Sequence, residues 1–237
     1  MNSTCARVTL LAVAVLSACP YAEAQGKPLS LLLQGEPIIV LDKRFSNFNV
    51  VDVQSVNGGF ADLGQIDVLP LNDDPRNPGL KFNVPFDAVG TPFGHAGLSS
   101  VTAIFEFDVQ TTSGLPLIKD NSLLINGYAF DAGNPQTFIQ ISELVLDASG
   151  APLGDKLAIV YRDDLPGDPD HFDSAEFAPQ SFVHVRKTIT VVGPSTNDGA
   201  RLTMFEQRFS QVPEPATWLG ACIAWWCLSW LRPNRSR

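Results

Sequence analysis

Between Gln25 and Gln211, apolar and polar residues alternate in short stretches that turns interrupt. The segment VTAIFEFDVQ sets Val101, Ala103, Phe105, Phe107 and Val109 on one side and Thr102, Glu106, Asp108 and Gln110 on the other, with Ile104 as the exception. Successive side chains of an extended strand point to opposite faces, so this alternation predicts a half-buried strand. PLSLLLQ, EPIIVL, NFNVVDVQSV, QIDVLPL, GLKFNV, SLLINGYAF, TFIQISELVL, KLAIVYR, FVHVRKTITVV and RLTMFEQRFS read the same way. Turn-forming clusters divide them: NGG at 57–59, NDDPRNPG at 72–79, DAGNPQ at 131–136 and DASGAPLGD at 147–155. About ten strands spaced in this manner predict an all-β fold, an antiparallel β-sandwich of jelly-roll type. No amphipathic helix is predicted in this body. Phe45 and Phe48 in LDKRFSNFNV are three residues apart and cannot share a face of one regular strand, so a turn or bulge is expected near Ser46 and Asn47.

Composition agrees with this picture and narrows it. The 237 residues are 45% hydrophobic, enough for a sizeable core, and 18 Gly with 18 Pro favour many short elements. The net charge is −9, and residues 25–212 carry 12 basic against 23 acidic side chains. Such a surface repels phosphate backbones, which excludes nucleic acid as a partner. Cys5, Cys19, Cys222 and Cys227 all lie in the terminal segments. The body therefore has no disulfide, thiolate nucleophile or cysteine-based zinc site.

The two ends differ from the body. Residues 1–24 place Arg7 before the apolar stretch Val8–Ala18 and end on Ala22 and Ala24, the plan of a secretory signal peptide cleaved after Ala24. LSAC, residues 16–19, also resembles a lipobox, which would make Cys19 a lipid anchor instead. At the other end, Pro213 and Pro215 stop the preceding strand, and Ala216–Leu231 carries no charge and four tryptophans. A helix over these residues would span about 24 Å, with Trp230 and the arginines at the interface, so a transmembrane helix is expected over 216–231. Arg232, Arg235 and Arg237 then predict a cytoplasmic C-terminus and an exported body.

This order of features, a signal peptide followed by a terminal VPEP, apolar helix and arginine cluster, resembles the PEP-CTERM sorting signal of bacterial exported proteins. The resemblance covers about 25 residues at the C-terminus. It implies a sorting signal over residues 212–237 made of Val212, Pro213, Glu214, Pro215, Arg232, Arg235 and Arg237, in which an exosortase, a membrane transpeptidase-like protease, recognises the Pro-Glu-Pro near Val212–Pro215 and the arginines fix orientation. It further implies transient residence in the inner membrane, then transfer to the cell surface or release, in association with extracellular polysaccharide. Ice binding, sometimes attached to such tails, would need a regular Thr-x-Thr array, and only Thr188 with Thr190 supplies one.

Candidate chemistry in the body is sparse. RDDLPGDPDHFD gathers Asp163, Asp164, Asp168, Asp170 and Asp173 beside His171. Closely spaced loop aspartates can supply several of the six to eight oxygens that calcium takes, although the EF-hand order is absent. A solvated acidic loop and no cofactor are expected, with calcium bound by these aspartates as the alternative. NDDPRNPG is a weaker candidate of the same kind. His95, His171 and His184 accompany no nucleophile elbow, zinc-binding HExxH or phosphate loop, so no catalytic residue is assigned. Glu106 and Asp108 would share a strand face, which could mimic a glycosidase pair but also suits simple solvent exposure. The expectation is a non-enzymatic exported β-sandwich of the cell surface or matrix. The alternative is a secreted carbohydrate-binding or carbohydrate-active module, for which Tyr128, Tyr161 or phenylalanines would serve as stacking platforms because every tryptophan is in the tail.

Overall fold

A computed structural model describes residues 25–89, 99–114, 116–130, 137–161, 169–193 and 199–212. The described residues form β1 (Lys27–Pro28), α1 (Leu29–Leu32), β2 (Ile38–Val40), β3 (Lys43–Val56), β4 (Gly59–Ala61), β5 (Asp67–Leu71), β6 (Gly79–Val89), β7 (Ser99–Thr111), β8 (Ile118–Phe130), β9 (Phe138–Leu146), β10 (Pro152–Tyr161), β11 (Phe172–Gln180), β12 (Phe182–Gly193) and β13 (Gly199–Gln211). Single 3₁₀ turns cover Leu63–Gln65 and Pro169–His171.

These strands pair into two sheets. The first has the order β1-β5-β6-β13-β8-β11, with β4 also on β6, and the second has β10-β9-β12-β7-β3-β2. Every pairing is antiparallel. The alternation read in the sequence is what closes them face to face. Val101, Ala103, Phe105, Phe107 and Val109 of β7 are all buried, while their neighbours on the strand are partly exposed. On β6, Leu80, Phe82, Val84, Phe86 and Ala88 do the same from the facing sheet. Across the interface Phe82 of β6 meets Phe105 of β7 with ring centroids 5.7 Å apart, and Phe45 of β3 meets Phe209 of β13 at 5.7 Å, so the two sheets interlock through aromatic contacts.

The irregularity expected at Ser46 and Asn47 is present. The β3–β7 register shifts between Ser46 and Asn49, and Asn47 adopts a φ of 54°. The extra residue turns both Phe45 and Phe48 inward, where they are 0% and 5% exposed. In NGG, Asn57 and Gly58 both have positive φ and carry the chain from β3 on the second sheet to β4 on the first.

PLSLLLQ is a correction. Only Lys27–Pro28 is extended, and Leu29–Leu32 makes a single helical turn. An unbroken leucine run has no period of two, and one turn buries Leu29 and Leu32, three apart, on the same side. β11 is the opposite case, a strand within a polar stretch that the alternation of apolar residues does not mark. It lies at the edge of the first sheet, where no second face needs covering. Among the described residues no helix is long and apolar enough to cross a membrane; the expected span 216–231 lies outside them.

Candidate functional site

The outer face of the first sheet carries an open groove of about 290 Å³, lined by Gln65, Asn83, Val84, Pro85, Tyr128, Arg201 and Thr203. Its floor is the middle of the sheet, where β6, β13 and β8 run side by side. Register fixes the rows. Arg201 of β13 sits opposite Asp87 of β6 on one side and Tyr128 of β8 on the other. Residues directly opposite in a sheet project to the same face, so these three form one outward row. Arg201 Nε lies 3.2 Å from Asp87 Oδ1. A hydrogen bond with Tyr128, and then the charge of Asp87, raise the Arg201 pKa, keeping a fixed cation beside an exposed phenol ring.

A bulge in β13 widens what this row can reach. The register shifts between Leu202 and Met204 against both neighbouring strands, which leaves Thr203 as the extra residue. Its side chain is exposed next to Arg201, and its hydroxyl donates to the Asn126 carbonyl at 2.9 Å. Asn83, opposite Met204, adds an outward amide. At the rim, Gln65 ends the Leu63–Gln65 turn, which Asp62 caps by accepting from the Gly64 N–H at 2.9 Å. The other Asp62 oxygen accepts from Gln65 Nε2 at the same distance and steadies that side chain.

Apolar surface continues from the groove along β8. Tyr128 is 48% exposed, Leu124 37%, and Phe172, which pairs with Leu124 from β11, 51%. Tyr128 and Leu124 are four residues apart on one strand face, a separation of about 14 Å at 3.4 Å per residue. The arrangement offers two aromatic faces with amide, hydroxyl, guanidinium and carboxylate groups at one end. Amphipathic ligands with apolar faces and many hydroxyls meet both kinds of surface here.

The other candidates are dispersed. Tyr161, 44% exposed, belongs to the edge strand β10 of the second sheet, away from Tyr128. Glu106 and Asp108 do share an outward face of β7, but each has a partner. Asp108 Oδ1 lies 2.7 Å from His184 Nδ1, its Oδ2 accepts from Asn47 Nδ2 at 2.7 Å, and Glu106 faces Arg186 at 3.5 Å. Of the five aspartates considered for calcium, Asp163, Asp164 and Asp168 lie outside the described residues, as does His95. Asp170 is exposed, and Asp173 accepts from the backbone N–H groups of Leu157 at 2.8 Å and Ser174 at 2.7 Å, joining β10 to β11. No group of three metal-ligating side chains occurs among the described residues. In the sorting signal only Val212 is described; its N–H donates to the Leu117 carbonyl at 2.9 Å, while Pro213, Glu214, Pro215, Arg232, Arg235 and Arg237 lie outside.

No protein-family model matches the chain, and no curated protein matches it. Among solved structures it is similar to the carbohydrate-binding module TmCBM61 in complex with β-1,4-galactotriose, at 12% identity and a TM-score of 0.29 over 68% of this chain and 88% of that one. It is similar too to TmCBM27, a carbohydrate-binding module of specific mannan recognition, at 5% identity and a TM-score of 0.31 over 71% and 100%. A third is the Arthrobacter globiformis T6 isomalto-dextranase complexed with panose, at 10% identity and a TM-score of 0.27 over 73% and 36%. At these scores the likeness adds nothing to the strand pairing, which establishes the two-sheet architecture by itself.

Proposed function

We propose that this chain is an exported, non-enzymatic polysaccharide-binding sandwich of jelly-roll type whose ligand lies along the outer face of the first sheet. The strand orders β6-β13-β8-β11 and β7-β12-β9-β10 suit the jelly-roll reading, because they leave one broad face of β6, β13 and β8 free for a linear ligand. The observation that carries the reading is the row Asp87–Arg201–Tyr128, an exposed aromatic ring beside a fixed, oriented set of hydrogen-bonding groups. Tyr128 stacks on a sugar ring, Arg201 with Asp87 and Asn83 engages hydroxyls, and Phe172 supports a ring further along the same glycan.

Glycan-array binding of the chain, followed by affinity electrophoresis in the preferred polysaccharide, tests this. Wild-type binding with at least a tenfold loss in Tyr128→Ala and in Arg201→Ala supports the reading. Absence of binding to any glycan, or full binding by both variants, overturns it. The one carboxylate in the row is already paired with Arg201, so a chelator leaves binding at this groove unchanged.

Export rests on the sequence signals. In this reading the signal peptide is removed after Ala24 and an exosortase processes the chain near Val212–Pro215, delivering the sandwich to the cell surface or matrix. Mass spectrometry of the mature protein from its native host checks both ends, and replacement of Arg232, Arg235 and Arg237 with glutamate impairs maturation. Intact termini, or a lipidated Cys19, would refute this route.

A further inference from the structure

The interior of the sandwich holds chemistry that the outer groove does not use. On the second sheet Lys156, Glu143 and Lys187 stand in one cross-strand row over β10, β9 and β12, paired Lys156 with Glu143 and Glu143 with Lys187. All three face the core, at 3%, 3% and 0% exposure. Asn121 of β8 and Gln207 of β13, both 0% exposed, meet them from the first sheet. Lys156 Nζ contacts Asn121 Oδ1 and Glu143 Oε1, and Lys187 Nζ contacts Glu143 Oε2 and Gln207 Oε1. Asn121 Nδ2 donates to Glu143 Oε1 at 2.7 Å, and Gln207 Nε2 donates to the same oxygen at 3.0 Å.

One carboxylate balances one ammonium, and two buried lysines share Glu143. An uncompensated ammonium in such a place sheds its proton. Burial lowers the pKa of both amines, that of Lys156 to about 7 against the pull of Asp173, Asp120 and Asp155. With its pKa near 7, Lys156 is unprotonated in a substantial fraction of molecules at neutral pH, and that free amine is a nucleophile held against the carbonyl of a primary amide. The same carboxylate oxygen touches both that amine and the amide nitrogen that would leave. Such an oxygen can move a proton from one to the other without water.

We propose that Lys156 and Asn121 join in an intramolecular isopeptide bond, with Glu143 as the proton carrier. The Nζ lone pair attacks Asn121 Cγ, forming the new C–N bond and placing the carbonyl electron pair on Oδ1. Glu143 Oε1 takes one proton from Nζ and passes it to Nδ2. The carbonyl re-forms, the Cγ–Nδ2 bond breaks, and ammonia leaves. Nothing is oxidised or reduced, and no co-reactant is needed. The product ties β10 of one sheet to β8 of the other through the core. Lys187 and Gln207 are the nearest competing pair, but Lys187 meets Oε2 whereas the Gln207 amide meets Oε1, so no single oxygen bridges them.

Trypsin digestion of the purified full-length chain, read by tandem mass spectrometry, decides the matter. Cleavage after Lys119 and after a free Lys156 releases the fragment 120–156. The bond predicts instead that Lys156 resists cleavage and that the fragment 120–162 appears one ammonia lighter than its sequence, with fragment ions joining Lys156 to Asn121. Glu143→Gln, which keeps the shape but removes the proton carrier, should restore the full mass and cleavage after Lys156. A full-mass 120–156 fragment from the folded wild type overturns the proposal, whatever the variant does. So does an ammonia loss confined to Asn126–Gly127, where backbone cyclisation produces the same mass change but leaves Lys156 cleavable. A link between Lys187 and Gln207, or an undiminished link in Glu143→Gln, overturns the assignment of partners or of the carrier.

Discussion

Between β3 and β7 on one sheet and β6 and β13 on the other, the interior is filled by phenylalanine rings, with Phe45, Phe48, Phe82, Phe105, Phe107, Phe205 and Phe209 in a connected set of contacts. Between β9, β10 and β12 and the facing β8, it is filled by two amines, a carboxylate and amides. Both halves are buried, yet they respond to damage differently. Ring packing is the sum of many small dispersion contacts, so a lost methyl costs a little. A buried ionic row is satisfied only when every member is present, because each group depends on its neighbour to offset the loss of water.

The largest test of this contrast is Glu143→Ala, which strands two amines in the core and should cost about 3–5 kcal/mol, read from urea unfolding midpoints. Replacing the whole row at once, as Lys156→Met, Glu143→Leu and Lys187→Met together, should recover most of that and reach neutrality or a gain of about 1–4 kcal/mol. If the triple variant is as unstable as Glu143→Ala, the row is not a self-contained unit. Purely apolar packing beside the row gives a smaller response: Ile141→Val, two residues along β9 from Glu143, should cost about 0.5–1.5 kcal/mol. Tyr128→Ala, outside the core, should change stability by no more than about 0.5 kcal/mol while abolishing ligand binding, which separates the outer face from the inner one.

The effect of pH sharpens the comparison further. For Lys156 the folded pKa of about 7 lies below the ordinary 10.5, so between these values the unfolded chain binds more protons than the folded one and stability rises with pH. Lys43 and Lys187, also lowered by burial, contribute in the same direction. An amide-linked Lys156 no longer titrates. Asn121→Ala, which frees the amine, should therefore gain stability more steeply than the wild type between about pH 7 and about pH 9. Equal slopes would mean that Lys156 titrates alike in both.

Much of this architecture was legible in the sequence. Period-two alternation located the long strands, the three-residue spacing of Phe45 and Phe48 located the bulge, and Tyr128 stood among the few aromatic residues available for stacking. The buried row was legible too, but in parity rather than composition. Lys187 follows Val183 and Val185 on the apolar side of β12, Glu143 follows Ile139 and Ile141 on that of β9, and Gln207 lies between Phe205 and Phe209 on β13. A charged residue at an inward position normally reads as a break in the pattern. Here each break faces another, and only the pairing of strands brings them together. The same holds for Arg201 and Asp87, far apart in the chain and adjacent only through the β6–β13 register. β11 escaped because an edge strand with one polar face carries little hydrophobic signal.

β13 is flanked on both sides, by β6 and by β8, over most of its length, and its ladder with β8 ends at Gln211. A pull applied beyond Val212 therefore cannot unzip the sandwich one rung at a time from a free margin. It must slide an inner strand against two neighbours together, so the load is shared across many rungs, and the fold is mechanically tough against a load drawn along the end of β13.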